Sequence, residues 1–198
     1  MRVLVCTWIP LPLGSCCCPL DIGVPLAQFA LAIGFVDASR ASARRVLGAG
    51  LSLFLWPGGT AEANYQDTAV EVLDLTRRTG FVSLALEAGA ALVPCYSFGE
   101  NELHEQYKPS PGSLLHYVRG VYQSATGTIL PFLKNTVPLP GKRVVTVMGE
   151  PIPVARVTKP TAAQVAALHA RYVAALKALY AKHEGKYHGV RKELVLLD

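Results

Sequence analysis

Three runs of the chain are almost continuously apolar and too short to be buried helices: Val3 to Ile9, Leu51 to Trp56 and Ala91 to Phe98. A strand with no polar face needs cover on both sides, the condition met in sheets sandwiched between helices. Helical stretches separate and follow these runs, at Leu26 to Gly34, Ala38 to Leu47, Gly80 to Ala88 and Ser113 to Thr126. A short mixed segment, Thr68 to Leu75, and a further strand, Arg143 to Met148, complete the pattern. The last helix is marked most clearly: Thr161 and Gln164 make a capping box directly after Pro160. Val165, Leu168, Tyr172, Leu176, Leu179 and His183 form a stripe at helical spacing, and Gly185 is expected to close the far end. Pro94 has no N–H to give a ladder, so its strand is expected at an edge or a bulge. Together these elements predict an α/β fold with a mixed, largely parallel sheet flanked by helices, in a single domain over 1–198.

Composition adds a demand that the elements alone do not make. Among 198 residues, 51% are hydrophobic and 17% charged, so an apolar surface for membrane, lipid or another piece of protein is expected. The net charge of +5 suits an anionic membrane face or a phosphate-bearing ligand as well as an ordinary basic surface. No basic run with interleaved aromatics occurs, which argues against nucleic acid.

Cys6, Cys16, Cys17, Cys18 and Cys95 form neither a disulfide framework nor a paired C-x-x-C zinc pattern, so a reducing compartment and no metal are expected. The Cys16–Cys18 cluster beside an apolar segment is either an acylation site or small apolar filler. Val3 to Leu20 is uncharged and long enough to span a bilayer, but Pro10, Pro12, Gly14 and Pro19 interrupt it. Arg2 and a loose "LGSC" site mimic a signal peptide. The preferred reading is an internal strand and loop, in a chain expected to lack a segment upstream.

Ligands of such sheets gather at the carboxyl ends of the strands. Two of those ends carry suggestive loops, "PGGTAE" after Leu51 to Trp56 and "GENE" after Ala91 to Phe98. They make Glu62, Glu100, Asn101 and Glu102 expected neighbours in space. The first loop lacks the Lys-Ser/Thr of a Walker loop and the third glycine of a dinucleotide fingerprint. Two glycines let backbone approach a ligand, and Glu62 suits a hydroxyl whose proton it accepts in a hydrogen bond. A plain strand-to-helix turn explains the glycines equally well.

The ordered combination is more specific. "PGGTAEA", "RRTGFVSLALEAGAALVPCYSFGENELHEQY", "VMGEPIPV" and "PTAAQVAALHARYVAALKALYAKHEGKYH" follow one another. Together they closely resemble the type-2 diacylglycerol acyltransferase family, which includes monoacylglycerol and wax-ester acyltransferases. The resemblance runs from Pro25 to Asp198, and more loosely through Val3 to Pro12. It implies a glycerolipid-acyltransferase-like fold and a membrane-bound enzyme that transfers a fatty acyl group from acyl-CoA to the hydroxyl of diacylglycerol or a similar lipid alcohol. Acyl-CoA is then a co-substrate and no cofactor is implied. The implied location is the cytosolic face of the endoplasmic reticulum membrane, with lipid droplet and plastid envelope as alternatives.

Carried onto this sequence, the resemblance makes Glu62 the candidate catalytic residue and gives Pro57, Gly58 and Gly59 the shaping of the acceptor or thioester pocket. Arg78, Gly80 and Phe81 belong to a second motif, with Arg78 facing a coenzyme A phosphate or an ordinary helix-end partner. Pro94, Phe98, Gly99, Glu100 and Asn101 form a third; Glu100 and Asn101 are its polar candidates and Phe98 reads as core. Gly149, Pro151 and Ile152 read as a structural turn. One departure stands out. The family's His-Pro-His-Gly motif, which supplies the general base, is absent, as is any His-x-x-x-x-Asp. His104, His116, His169, His183 and His188 read as loop, helix-surface, packed or tail residues. Two readings follow: an acyltransferase domain lacking its N-terminal membrane segments and base, or a non-catalytic lipid- or acyl-CoA-binding module. The second would act as a homo- or hetero-oligomer with a complete acyltransferase.

Overall fold

The computed structural model describes residues 3–8, 36, 39–57, 70–73, 75–99, 107, 109–126, 134, 141, 143–187 and 193–196. Its elements are β1 (Val3–Trp8), α1 (Arg40–Gly48), β2 (Leu53–Leu55), β3 (Val70–Leu73), α2 (Gly80–Ala88) and β4 (Ala91–Phe98). They continue with α3 (Leu114–Thr126), β5 (Val145–Met148), α4 (Ala162–Tyr187) and β6 (Glu193–Leu196). Four strands form a mixed sheet in the order β2-β1-β4-β5. β1 runs parallel to both β2 and β4, and β5 is antiparallel to β4. β3 and β6 make a separate parallel pair. The α/β class and the mixed sheet are therefore as expected. The antiparallel edge and the separate pair depart from one largely parallel sheet. The Leu26 to Gly34 helix lies outside the described residues.

Of the two expectations for β4, an edge or a bulge, the structure bears out the bulge: the strand is interior, paired with β1 on one side and β5 on the other. Its proline is accommodated by a break in register. Cys95 pairs with Met148, whereas Leu92 pairs with Ile152, so two residues of β4 face three of the partner segment. Pro94 sits in this bulge, where its nitrogen needs no acceptor and its carbonyl accepts from the Gly149 N–H at 2.7 Å. A Cβ on Gly149 would lie 2.9 Å from the Pro94 ring, so only glycine allows the approach. The turn read from "VMGEPIPV" is thus the device that lets a proline stand inside a sheet.

Local signals account for the helix ends. Ser39 caps α1, its hydroxyl accepting from the Ser42 N–H at 3.2 Å. Gly89 ends α2 in the left-handed region at φ 62°. At the start of α4 the capping box forms in both directions: Gln164 Oε1 accepts from the Thr161 N–H at 2.9 Å, and Thr161 Oγ1 from the Gln164 N–H at 3.3 Å. The far end of α4 differs from expectation, because Gly185 lies inside the helix, which runs on to Tyr187. Tyr187 stacks on His183 and packs against Phe98, and this anchorage carries the last turn past the glycine.

The core lies between α4, α2 and β4. Leu168, Tyr172, Leu176 and Leu179 of the expected stripe are buried, and Tyr180 joins them. Tyr172 meets Phe81 edge-on at 5.0 Å, and Tyr180 meets Tyr96 edge-on at 4.9 Å and stacks on Phe98 at 5.6 Å. Each such pair adds about 0.5–1.5 kcal/mol beyond its buried area. α1 is held to α2 by charge: Arg40 pairs with Glu87 Oε1 and Ser83 Oγ, and Arg44 with Glu87 Oε2 at 2.9 Å. These guanidiniums, Arg44 foremost through its hydrogen bond, hold the Glu87 carboxyl below the ordinary carboxylate range against the opposing effect of burial.

Candidate functional site

β2, β1 and β4 all deliver their carboxyl ends to the same edge of the sheet. The register aligns Cys6 with Leu55 and with Pro94, and Trp8 with Tyr96. Pro57 follows Leu55 by two residues, and Gly99 directly follows the last residue of β4. The "PGG" and "GEN" loops therefore leave from neighbouring tips with one strand between them, about 10 Å apart across the sheet. Glu62, Gly58, Gly59, Glu100 and Asn101 lie outside the described residues. What the fold establishes is where the loops that carry them begin.

The two exits are shaped differently. On the β2 side, Phe54 and Trp56 meet edge-on at 5.1 Å just before Pro57, placing an aromatic pair at the tip. On the β4 side, Gly99 is buried, has φ 89°, and would bring an added Cβ to 2.2 Å from the Arg143 carbonyl oxygen. No other residue fits there, so Gly99 fixes the direction in which the chain leaves β4 toward Glu100. Phe98 is 1% exposed and packs against Tyr96, Tyr180 and Tyr187, which makes it core, as its sequence context suggested.

The second motif is seated elsewhere on the same helix. Phe81 rests on Tyr172, eight residues before Tyr180 on α4, a separation of roughly 12 Å along the axis. His169 Nε2 lies 3.1 Å from the Leu75 carbonyl, and its ring packs against Phe81, so this histidine holds the chain entering the motif. Arg78 and Gly80 are exposed at the N-terminal end of α2. His183 stacks on Tyr187, and His116 lies on the exposed surface of α3. His104 and His188 lie outside the described residues. Cys95 is fully buried, and that desolvation pushes its thiol up to about 11, so it is no nucleophile at neutral pH. Among the described residues no group of three His, Cys, Asp or Glu is placed to hold a metal ion. Nor is any helix among them long and apolar enough to cross a membrane.

The family model for "Diacylglycerol acyltransferase" matches residues 23–197. Diacylglycerol O-acyltransferase 2B of Umbelopsis ramanniana is 34% identical over 174 residues, covering 81% of this chain and 50% of the relative. Mouse 2-acylglycerol O-acyltransferase 1 is 34% identical over 172 residues, covering 81% of this chain and 51% of its own length. Human acyl-CoA wax alcohol acyltransferase 2 is 33% identical over 174 residues, covering 82% of this chain and 52% of its own length. No solved structure matches. Matched over residues 23–197, the chain belongs to the diacylglycerol acyltransferase family. The relatives are acyltransferases named for three different lipid alcohols, and the chain spans about half the length of each.

Proposed function

We propose that this chain serves acyl transfer from acyl-CoA to the hydroxyl of a lipid alcohol, with diacylglycerol as acceptor and triacylglycerol as product. The observation that carries the reading is the shared edge at which the "PGG" and "GEN" loops leave β2 and β4, in a chain of this family. In the reaction the acceptor oxygen attacks the thioester carbonyl, the C–S bond breaks, and coenzyme A leaves as the thiol. The acceptor proton must be taken as the new ester bond forms. Glu62, on the first loop, is suited to orient the acceptor hydroxyl by accepting its hydrogen bond, and Glu100 and Asn101 contribute polar groups from the second. Gly99 sets the course of that second loop, and Arg78 is reserved for a coenzyme A phosphate. Acyl-CoA is the co-substrate, no cofactor takes part, and the working place is the cytosolic face of the endoplasmic reticulum membrane.

The family's general-base motif does not occur in this sequence. His169 and His183 are engaged in packing contacts, and no His-Pro-His-Gly is present. This favours a second reading alongside the first: the chain binds acyl-CoA and works with a complete acyltransferase that brings the base. Equilibrium binding of palmitoyl-CoA to the full chain, paired with turnover assays on diacylglycerol, monoacylglycerol and a long-chain alcohol, tests both. The expected result is micromolar binding, weakened by Glu100→Ala, with no turnover until a complete family member is added. Absence of binding sinks both readings. Turnover by the chain alone, lost on Glu62→Ala and kept in every histidine variant, overturns the account of the base.

A further inference from the structure

The four-stranded sheet has two faces, and the described core uses one of them. On β4, Leu92, Tyr96 and Phe98 lie in the core with α2 and α4, whereas Val93 and Cys95, also buried, stand outside it. Side chains alternate along a strand, and residues in register on neighbouring strands share a face. On β2, Leu53 belongs to the core and Leu55 packs against it, so Phe54 turns to the second face. Trp56 joins it there through the edge-on contact at 5.1 Å. Phe54 stands level with Val93, because both pair with Val5 of β1. The polar side chain of β4 on this face, Ser97, is engaged with Thr146 at 2.7 Å. On β2 and β4 the second face is otherwise apolar.

This face opens where the candidate site begins. β2 is the outermost strand of the described sheet, and Phe54 is 42% exposed beside a half-buried Trp56. Trp56 stands directly before Pro57, where the "PGG" loop starts. In acyl transfer both reacting groups, a thioester carbonyl and a hydroxyl, are joined to hydrocarbon, so a loop that takes either one needs apolar surface beside it. Phe54 and Trp56 are the apolar surface that the described structure places there. Each methylene that leaves water for such a surface is worth roughly fourfold in affinity. We propose that Phe54 and Trp56 receive the hydrocarbon chain of the lipid substrate next to its reacting end, and so select long chains over short ones. The inference rests on the acyl-transfer reading and adds to it the residues that read the chain.

The sequence holds two tryptophans, Trp8 and Trp56, so the full chain carrying Trp8→Phe reports on Trp56 by fluorescence. Bromine quenches an indole that it touches. Dibromostearoyl-CoA is expected to quench Trp56, with palmitoyl-CoA reversing the effect and butyryl-CoA failing to do so. Quenching by a dibrominated diacylglycerol instead assigns the hydrocarbon chain to the acceptor rather than to acyl-CoA, at the same two residues. Phe54→Asp is expected to weaken binding of the quenching lipid by about tenfold or more, the worth of fewer than two methylenes. Butyryl-CoA binding should change less than about twofold, with circular dichroism retained because Phe54 is exposed. The quenching arm needs no change at Phe54, so it decides by itself where Phe54→Asp does not fold. The inference falls, and the acyl-transfer reading stands, if palmitoyl-CoA or diacylglycerol binds while neither brominated lipid quenches Trp56. It falls equally if folded Phe54→Asp binds the quenching lipid as well as the parent does. Absence of binding by both lipids removes the acyl-transfer reading itself, and this inference with it.

Discussion

Substituting Gly99 by alanine tests whether the exit from β4 is fixed by sterics or only by habit of sequence. Two costs add. A residue with a Cβ at φ 89° sits outside the regions L side chains favour, a strain of about 1–3 kcal/mol. The new methyl would also stand 2.2 Å from the Arg143 carbonyl oxygen. An ordinary carbon–oxygen contact is about 3.3 Å or more, so one strand end must retreat by roughly 1 Å. Forcing such a shift in a packed region costs typically 1–3 kcal/mol more. The total, about 2–6 kcal/mol, is a large part of the 5–15 kcal/mol that holds a domain folded. Gly112 provides the control: its φ of 83° is nearly the same, but a Cβ there meets nothing within 4 Å. Urea unfolding followed by circular dichroism, with m of about 2–3 kcal/mol/M, should show Gly99→Ala lowering the midpoint by about 1–3 M. Gly112→Ala should lower it by about half as much or less, since it carries only the dihedral strain. Equal losses from the two substitutions would refute the contact with Arg143 as the reason for the glycine.

Glu87→Gln should cost about 1 kcal/mol by weakening both arginine pairs, read as a drop in urea midpoint. Because the folded carboxyl titrates below its ordinary range, its stabilisation is complete above the unfolded carboxylate pKa. It is lost as pH falls through the lower folded value, so the parent should lose stability on acidification where Glu87→Gln loses less. Cys95, with its thiol raised to about 11, should resist iodoacetamide at pH 8 in the folded chain and react on unfolding, as followed by mass spectrometry. Tyr172→Ala should cost about 3–5 kcal/mol through loss of a fully buried ring, with a matching fall in thermal midpoint.

Features written in adjacent residues were legible before any fold was known. Gly80 to Ala88, with Gly89 beyond it, and Ala91 to Phe98 were found at their observed bounds, because caps and apolar runs are local. The capping box at Thr161 and the stripe through Tyr172 and Leu176 are of the same kind. Pairings between remote segments were not legible. The strand Glu193–Leu196 carries no turn signal of its own and is defined only by lying beside Val70–Leu73. Glu87 reads as one more helix-surface carboxylate until α1 brings Arg40 and Arg44 against it. Pro94 pointed to an edge or a bulge, and only the structure decides for the bulge, because the residue that accommodates it, Gly149, is fifty-five positions away. For the site, the described structure gives only the ends of β2 and β4 from which the two loops leave. Glu62, Glu100 and Asn101 themselves rest on the family alone.

The family motifs are dispersed in sequence, and the described structure gives a physical reason for three of them to travel together: the second motif, the third and the "VMGEPIPV" turn all rest on α4. Phe81 of the second motif packs on Tyr172, and Phe98 of the third on Tyr180 and Tyr187. A Cβ on Gly149 of the "VMGEPIPV" turn would contact Leu179 and the Pro94 ring. One face of one helix therefore sets the heights of α2, of β4 and of the bulge relative to one another. A substitution on that face moves several motifs at once, so its effect should not add with those of Phe81 or Phe98 changes. A Tyr180→Leu/Phe98→Leu cycle, read by urea unfolding, is expected to show a coupling of about 0.5–1.5 kcal/mol from the lost ring pair. Strict additivity would mean that α4 serves the motifs merely as apolar cover, and that their relative placement is set within the sheet alone.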